Sequence, residues 1–220
     1  MNQDYKAFQQ AGLVDIYEKV GSCNLFMTCE SPNAAAFREL SSRYRFRLCR
    51  NDELDVWMHT AVDAPYVKYA ADYYRRVYEK SASEFFRRCT FVCDENDNPV
   101  ATGFIWKSYG LINTLAWLRV VLEHEGKGLG RALITEVLRN TSFPVYLHTQ
   151  PSSVKAIKLY SDFGFKLITD PVIGYRKNDL EKSLPIMKKV MPQSDYENLQ
   201  FTLADNALLK AALSNEAAEF

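Results

Sequence analysis

Three glycines at alternate positions, flanked by two basic residues, form the part of the sequence best suited to bind an anion. Gly126, Gly128 and Gly130 follow an apolar run, and a helical pattern of apolar residues begins after them. Glycine lets the main chain approach a ligand closely. Unpaired N–H groups at the start of a helix point at such a ligand, and the helix dipole favours negative charge there. Because Lys127 and Arg131 add positive charge, we expect the ligand to be a pyrophosphate.

Residue identity excludes two common phosphate-binding motifs. A dinucleotide fingerprint, G-x-G-x-x-G, requires a third glycine, but Arg131 and Leu133 stand where it would fall. A Walker loop requires G-x-x-x-x-G-K followed by Ser or Thr. Here Gly128 follows Lys127, and Val121 stands where the first glycine is required. A different phosphate-binding motif must therefore be considered.

The stretch resembles the cofactor-binding motif of the GNAT N-acetyltransferase superfamily, in which a strand ending in V-x-P-x-x precedes R/Q-x-x-G-x-G/A and a helix. Val120 stands at the valine position, and Gly128 and Gly130 stand at the two glycine positions. Two positions differ, because Leu122 replaces the proline and Glu125 replaces the arginine or glutamine. A carboxylate beside a pyrophosphate is unfavourable unless it points away, but the family relies more on main-chain amides than on this side chain.

A second motif downstream resembles the other signature of the superfamily, N-x-x-A-x-x-L-Y-x-x-x-G-F. It follows a short apolar strand pattern at 145–150 and is itself helical, with a glycine at the expected helix end. Ser153 replaces the asparagine. The matching residues are Ala156, Leu159, Tyr160, Gly164 and Phe165. The two motifs occur in the order that the superfamily has them, so the chain is identified as a member.

The resemblance implies the GNAT fold, an α/β (α+β) architecture with a mixed, mostly antiparallel sheet of about six or seven strands and helices on both faces. It also implies that two neighbouring strands separate where the cofactor enters. We divide the chain into an N-terminal helical arm (1–43), an acyl-CoA-binding catalytic domain (44–177) and a C-terminal helical extension (178–220).

Local patterns predict the elements that must position these residues. In the arm we expect a helix at 3–20, weakened by Gly12, an irregular stretch at 21–31 and a short helix at 33–42. The remaining expected helices are at 51–58, 66–87, 131–138, 154–163, 179–190 and 204–218. The expected strands are at 44–49, 90–93, 100–106, 114–122 and 145–150, with further strand as far as about residue 176.

The resemblance implies transfer of an acyl group, expected to be acetyl, from the cosubstrate acetyl-CoA to a primary amine of a small molecule or peptide by direct attack. A main-chain N–H of Val120 or Val121 would stabilise the carbonyl oxygen. Tyr160 matches the family's general acid, which protonates the leaving thiolate. The residues implied to bind acetyl-CoA are Val120, Val121, Glu125, Gly126, Lys127, Gly128, Leu129, Gly130, Arg131, Ser153, Ala156 and Tyr160.

The base that would deprotonate the incoming amine is open. Glu123 at the strand end and His148 on the next strand are the candidates, with His124 and His59 as weaker ones. A lone histidine in a strand is more often structural than catalytic. A non-catalytic acyl-CoA-binding module is the alternative function, because three motif positions have changed.

The acceptor pocket in this fold is lined by the first two helices and neighbouring strands. Aromatic residues in that region either pack a helix on the sheet or form a wall around a small amine. Those residues are Trp57, Tyr66, Tyr69, Tyr73 and Tyr109, with Asp55, Asp63 and Asp72 nearby in sequence. The two terminal arms could mediate a homodimer or cover this acceptor site.

Composition limits the partners and the compartment. The 27 basic and 27 acidic residues cancel, so the chain offers no charge excess for nucleic acid or an anionic membrane. Five cysteines without C-x-x-C spacing indicate neither a zinc site nor a disulfide framework, and we expect no metal. Without a signal peptide or a long apolar run, the expected location is the cytoplasm.

Overall fold

The computed structural model of the chain describes residues 3–216 and 218–220. Its α-helices are α1 Gln3–Gln10, α2 Val14–Gly21, α3 Leu54–Ala61, α4 Val67–Tyr73, α5 Ala82–Arg88, α6 Leu129–Arg139, α7 Val154–Asp162, α8 Leu180–Val190, α9 Gln193–Glu197 and α10 Asn206–Leu213. Its strands are β1 Leu25–Cys29, β2 Arg45–Leu48, β3 Thr90–Cys93, β4 Pro99–Ser108, β5 Ile112–Val120, β6 Val145–Thr149, β7 Lys166–Ile168, β8 Val172–Ile173, β9 Arg176–Lys177 and β10 Phe201–Thr202.

One sheet organises the molecule. Its strand order is β10-β7-β1-β6-β5-β4-β3-β2, while β8 and β9 form a separate hairpin. The β5–β6 and β10–β7 pairs are parallel, and the other pairs are antiparallel. The predicted mixed, mostly antiparallel sheet is therefore confirmed, with eight strands where about six or seven were expected.

Cross-strand pairing divides the sheet into two faces, because directly paired residues point to the same side. On one face Trp106 pairs with Thr114, Thr114 with Tyr146, and Tyr146 with Thr28. Helices α3 to α5 cover part of this face, and α10 covers another part. The opposite face carries the largest apolar core, to which α1, α6, α7 and α8 contribute. We call these the aromatic face and the core face.

The predicted irregular stretch at 21–31 is wrong. Residues Leu25–Cys29 form β1, which is buried along its whole length and lies between β6 and β7 near the sheet centre. Its residues are apolar toward both faces, so they lack the alternation that marks a half-exposed strand. The N-terminal arm is thus not purely helical, and its boundary at residue 43 does not separate it from the sheet.

Several helix predictions also need correction. The helix at 3–20 is divided at Gly12, which adopts a φ of +68°, and the region 33–42 contains only a short 3-10 turn at Ala34–Ala36. The C-terminal extension contains α9 and the edge strand β10, and its last helix ends at Leu213 rather than at 218.

The long helix expected at 66–87 is interrupted by a π-helical turn at Tyr74–Tyr78 and a 3-10 turn at Glu79–Ser81. A π turn is wider than an α turn, so side chains five residues apart can face the same way. Tyr73 and Tyr78 use this spacing, because both are buried and their ring centroids lie 5.5 Å apart. The interruption of the expected helix thus coincides with the packing of these aromatic residues on the sheet.

Strand β5 contains the irregularity that opens the sheet. Its pairing with β4 shifts opposite Gly103, and Trp117 adopts a φ of +54° there. A side-chain carbon at Gly103 would lie 3.1 Å from Leu118 and 3.3 Å from Leu133, so any larger residue at the bulge would require these side chains to shift. The parallel pairing of β5 with β6 covers only Asn113–Val145 and Thr114–Tyr146. Beyond these pairs, the two strands separate.

Candidate active site

The glycine loop lies between the end of β5 and the start of α6. Gly126 and Gly128 adopt φ values of +76° and +81°, and Gly128 is the residue immediately before the helix. Left-handed main chain of this kind favours glycine. Nothing lies within 4 Å of the place where a Cβ of Gly128 would be, so conformation rather than space requires glycine there.

The main-chain N–H groups of residues 126–131 are available to a ligand. Within residues 3–216 and 218–220, no protein acceptor is assigned to any of them, whereas the next N–H, that of Ala132, donates to Gly128 O at 3.0 Å. The start of α6 is therefore an anion-binding arrangement by geometry. Its N–H groups lie next to the open end of β5.

Gly130 brings three elements close together. A Cβ there would lie 3.4 Å from Leu159 Cδ2 of α7 and 3.6 Å from Val120 Cγ2 of β5. The first turn of α6 is consequently held against both motifs that the sequence identified. Leu129, beside it, is buried in the core between α6 and the sheet.

The charged side chains of the loop differ in what they can do. The Arg131 guanidinium forms an ion pair with Asp162, donates to Ala36 O at 3.3 Å and lies over the Phe163 ring. The guanidinium is occupied by these structural contacts, so only the main-chain N–H of Arg131 remains for a ligand. Lys127 is exposed beside the loop and carries the other positive charge predicted there.

Helix α1 lies against the loop, which the sequence did not predict. Gln3 N lies 3.4 Å from Glu125 Oε2, so this carboxylate is directed toward α1. Asp4 Oδ1 accepts a hydrogen bond of 2.9 Å from Lys155 N, in the first turn of α7. Burial raises the pKa of Asp4 to about 6, and the nearby charge of Glu125 contributes. Two acidic groups therefore border the place where an anionic ligand would enter.

Of the two predicted oxyanion donors, only Val120 remains. Val121 N donates to Val100 O at 2.9 Å, so its N–H is already used in the sheet. Alternation along a strand directs the N–H of Val120 to the other edge of β5, which faces the separated β6. That is the edge where an extended ligand could pair with the main chain.

Tyr160 lies on α7 in the core on the same side of the sheet as α1 and α6. Only 7% of it is exposed, and its ring packs 5.9 Å from Phe165. Burial and the charge of Asp4 raise its pKa, so the phenol keeps its proton. Its hydroxyl has no hydrogen-bond partner among the described residues. Ser153 and Ala156 lie at the start and in the first turns of the same helix.

His148 is a neutral histidine in the separated part of β6. Asn24 donates through Nδ2 to Lys177 O, so its Oδ1 faces His148 Nε2 at 2.9 Å. This arrangement assigns the proton to Nε2 and leaves Nδ1 as the acceptor. Burial, together with the charge of Arg176, lowers the pKa of His148 to about 3. It is thus a weak base.

The other base candidates lie at the surface or in local contacts. Glu123 is exposed in the 3-10 turn that follows β5. His124 Nδ1 is 3.1 Å from Tyr44 Oη, and His59 is paired with Asp55 within α3. In the part of the chain that the structure describes, no group of three or more histidine, cysteine or acidic side chains is placed to hold a metal.

The aromatic residues predicted for the acceptor side divide into two groups. Trp57 is fully buried in the cluster beneath α3 to α5, so the packing interpretation holds for it. Tyr69 is 58% exposed, yet its ring approaches Trp117 and Tyr73 to 6.2 Å. Tyr66 is also exposed. The nearby carboxylates are used locally, since Asp63 pairs with Arg119 and Asp72 with Arg75.

Residues 218–220 lie on the aromatic face, across the end of this group. Tyr73 donates to Glu219 O, and the main-chain N–H of Tyr109 donates to the Glu219 carboxylate. The Phe220 ring lies 6.0 Å from Phe26 of β1. A groove between α4 and the β8–β9 hairpin is thereby covered by the chain itself. That a terminal arm covers the acceptor site stays a prediction.

Comparison with known proteins agrees with this geometry. The sequence model of the acetyltransferase (GNAT) family matches residues 54–165, about half of the chain. The chain belongs to the GNAT acetyltransferase family. The matched region includes the glycine loop, both separated strands and the whole of the second motif. No curated protein matches the chain.

The chain is similar to solved structures of low sequence identity. A GCN5-related N-acetyltransferase from Sphaerobacter thermophilus superposes with a TM-score of 0.52 and 17% identity, over 66% of this chain and 48% of that one. A GNAT-family acetyltransferase from Colwellia psychrerythraea gives a TM-score of 0.48 and 15% identity, over 66% and 53%. The chain thus spans about half the length of these relatives. Within its described residues, no helix is long and apolar enough to cross a membrane.

Proposed function

We propose that the protein transfers an acetyl group from acetyl-CoA to a primary amine of a small molecule or peptide. One observation carries the proposal: among the residues that the structure describes, the main-chain N–H groups of 126–131 have no assigned protein acceptor, and they lie next to the opening between β5 and β6. The family match supports it, because the same two motifs lie within the matched region.

The residues present fit the diphosphate of coenzyme A. Successive N–H groups at the start of α6, the positive helix end and Lys127 suit an anion, and the left-handed glycines shape the loop around it. Glu125 does not oppose this, since its carboxylate is directed to Gln3. We infer that the extended pantetheine chain pairs with the free edge of β5.

The chemistry follows from the groups around this opening. The amine nitrogen forms a bond to the thioester carbonyl carbon, and the carbon–sulfur bond breaks. Val120 N–H would stabilise the negative charge on the carbonyl oxygen. Tyr160 would give its proton to the leaving thiolate, which is consistent with a phenol held neutral by burial.

The proton lost by the attacking amine must go to a base or to water. His148 Nδ1 is free to accept a proton, but its low pKa makes it a poor acceptor near neutral pH. Glu123 is exposed at the end of β5, where water also has access. We infer that the amine reacts as its free base and that its proton leaves through water, with Glu123 as the nearer carboxylate candidate.

Calorimetry with acetyl-CoA, followed by thiol release in the presence of a panel of amines, tests this function. We expect saturable heat with acetyl-CoA and thiol release that requires an amine, with the acetylated amine found by mass spectrometry. Binding without turnover of any amine would favour the non-catalytic module. Absence of any heat with acetyl-CoA would refute both functions.

A further inference from the structure

The groove covered by residues 218–220 is rich in hydrogen-bond donors. On one side Tyr73 Oη and Arg76 Nη2 donate to main-chain oxygens of Glu219 and Ala218, the latter at 3.3 Å. At its base, Tyr109 N donates to the Glu219 carboxylate. The groove therefore presents donors, and residues 218–220 supply the oxygens that accept them.

Arg176, on β9, is another of these donors, and no Asp or Glu side chain in the described part of the chain pairs with it. It is partly buried, its guanidinium lies 4.8 Å from the centre of the Phe26 ring, and it donates to Phe220 O. No aspartate or glutamate side chain within residues 3–216 and 218–220 forms an ion pair with Arg176, whose acceptor is the oxygen of Phe220. Burial lowers its pKa, with the positive charge of Arg76 adding to the effect.

Two other partly buried arginines of the chain form ion pairs with carboxylate side chains. Arg47 binds both Glu53 and Asp97, and Arg131 binds Asp162. A guanidinium that is removed from water without an opposite charge loses favourable hydration. Its planar donor groups suit a carboxylate, which can accept two of them at once. The donors around Arg176 thus suit a carboxylate, and the oxygen of Phe220 accepts one of them in the structure.

The groove also reaches the place where the proposed chemistry occurs. The Phe26 ring lies 5.4 Å from the imidazole of His148, in the part of β6 that has separated from β5. On the other side of the opening, Tyr73 packs 5.2 Å from Trp117, at the bulge of β5. A small molecule held by Arg176 would consequently lie close to the opening between the two strands.

We propose that the acceptor is an amine that also carries a carboxylate, and that Arg176 binds this carboxylate. Residues 218–220 occupy the same groove in the structure, so the acceptor displaces them when it binds. This inference rests on the proposed function, and it adds the substrate class and a residue that determines specificity.

Matched pairs of amino acids and their amides test the inference. The probes are L-phenylalanine, L-leucine and glycine, each compared with its carboxamide at saturating acetyl-CoA. The measured quantity is the ratio of kcat/KM for the acid to kcat/KM for the amide. Differences in amine basicity cancel when this ratio is compared between variants, because each variant meets the same pair of substrates.

We expect R176Q to lower this ratio by about 10- to 100-fold, because the acid loses a charge-assisted contact that the amide does not make. The rate with the amide should stay within about threefold of wild type. The control is K177Q, which removes the same charge from the exposed neighbour on β9. It should leave the ratio unchanged.

Two outcomes would overturn the inference: an unchanged ratio in R176Q, which includes an equal loss with acid and amide, or acetylation by the wild type of other amines but none of the acids. If R176Q does not fold, inhibition of the wild type by N-acetyl-L-phenylalanine and by its amide decides, and equal inhibition contradicts the inference. Failure to bind acetyl-CoA would instead refute the proposed function.

Discussion

The proposed chemistry depends on individual residues, and Tyr160 is the one to which the motif resemblance points most directly. The resemblance to the second GNAT motif identified it, and the structure places it on α7 with its hydroxyl unpartnered among the described residues. A buried phenol without an assigned partner can lose its hydroxyl at little cost in stability. Tyr160 is therefore suited to a test that separates catalysis from folding.

We expect Y160F to lower kcat by about 10- to 100-fold, because the leaving thiolate loses its proton donor. The dissociation constant for acetyl-CoA and the free energy of unfolding should change little. Y196F, which removes a hydroxyl from α9, is the matched control and should retain full activity. An undiminished kcat in Y160F would exclude Tyr160 as the general acid.

Asp4 is a residue whose importance only the structure reveals. Because its pKa is about 6 when folded and 3.8 ordinarily, the folded protein binds more protons than the unfolded chain between these values. Stability from this group is therefore fully present below pH 4 and is lost as the pH rises to 6. The amide of D4N keeps an oxygen for Lys155 N but cannot ionise.

We accordingly expect D4N and wild type to be equally stable near pH 4, and D4N to be more stable by about 1–2 kcal/mol at pH 7. Urea unfolding at several pH values measures this difference. D15N, the same change at an exposed position of α2, is the control. A stability difference that does not vary with pH would contradict this role of Asp4.

Candidate roles could be proposed from the sequence where they depend on neighbours in the chain, and not where they depend on distant residues. The glycines at 126–130 and Tyr160 were identified because strand, turn and helix follow one another directly. Arg131 was expected to face the ligand, but its pairing with Asp162 depends on how α6 and α7 pack. The occupied N–H of Val121 likewise depends on its partner strand β4.

At the level of elements, the loop and the first turn of α6 act as a unit. Gly128 can be tested cleanly because alanine there would clash with nothing and would only strain the main chain. Gly110 offers the same conditions in the β4–β5 turn, with a φ of +69° and open space around it. The two glycines thus differ in their place and not in the strain that alanine introduces.

We expect both G128A and G110A to lose about 1 kcal/mol of stability, since each forces alanine into left-handed main chain. Only G128A should weaken acetyl-CoA binding, by about tenfold, because its N–H and those beside it move. Calorimetry and urea unfolding give the two quantities. Equal acetyl-CoA affinities for the two variants would show that the loop does not hold the ligand.

Elements with clear local patterns were predicted correctly, and those shaped by packing were not. The strands at 90–93 and 145–149 are short apolar runs next to proline- or asparagine-containing turns, and the helix α7 has helical periodicity. By contrast, β1 is apolar toward both faces, and the π turn at Tyr74–Tyr78 accompanies the fit of several aromatic rings on the sheet. Neither the position of β1 in the sheet nor the break in the helix can be recognised from a short window of sequence.

For the molecule as a whole, the sheet includes residues on both sides of the predicted domain boundaries. Strand β1 comes from the N-terminal arm and β10 from the C-terminal extension, and both pair with β7. Helix α1, in contrast, packs on the outside of the core face, mainly through the buried Phe8. Within the N-terminal arm, the sheet thus requires β1 but does not require α1.

Two truncations separate these parts. Removal of residues 1–12 should leave cooperative unfolding, with a stability lower by about 3–5 kcal/mol because the burial of Phe8 is lost. Removal of residues 1–42 should abolish cooperative unfolding, because a central strand disappears. Circular dichroism during urea titration distinguishes the two. A cooperative transition in the longer truncation would mean that β1 is dispensable.

The central claim is that main-chain N–H groups of residues 126–131 bind the diphosphate of coenzyme A. Hydrogen exchange of these amides, followed by NMR on ¹⁵N-labelled protein with and without saturating acetyl-CoA, tests it most directly. We predict that acetyl-CoA slows exchange of several of these amides by at least about tenfold and shifts their resonances. Unchanged exchange and resonances in this loop, while acetyl-CoA is bound elsewhere or not at all, would contradict the claim.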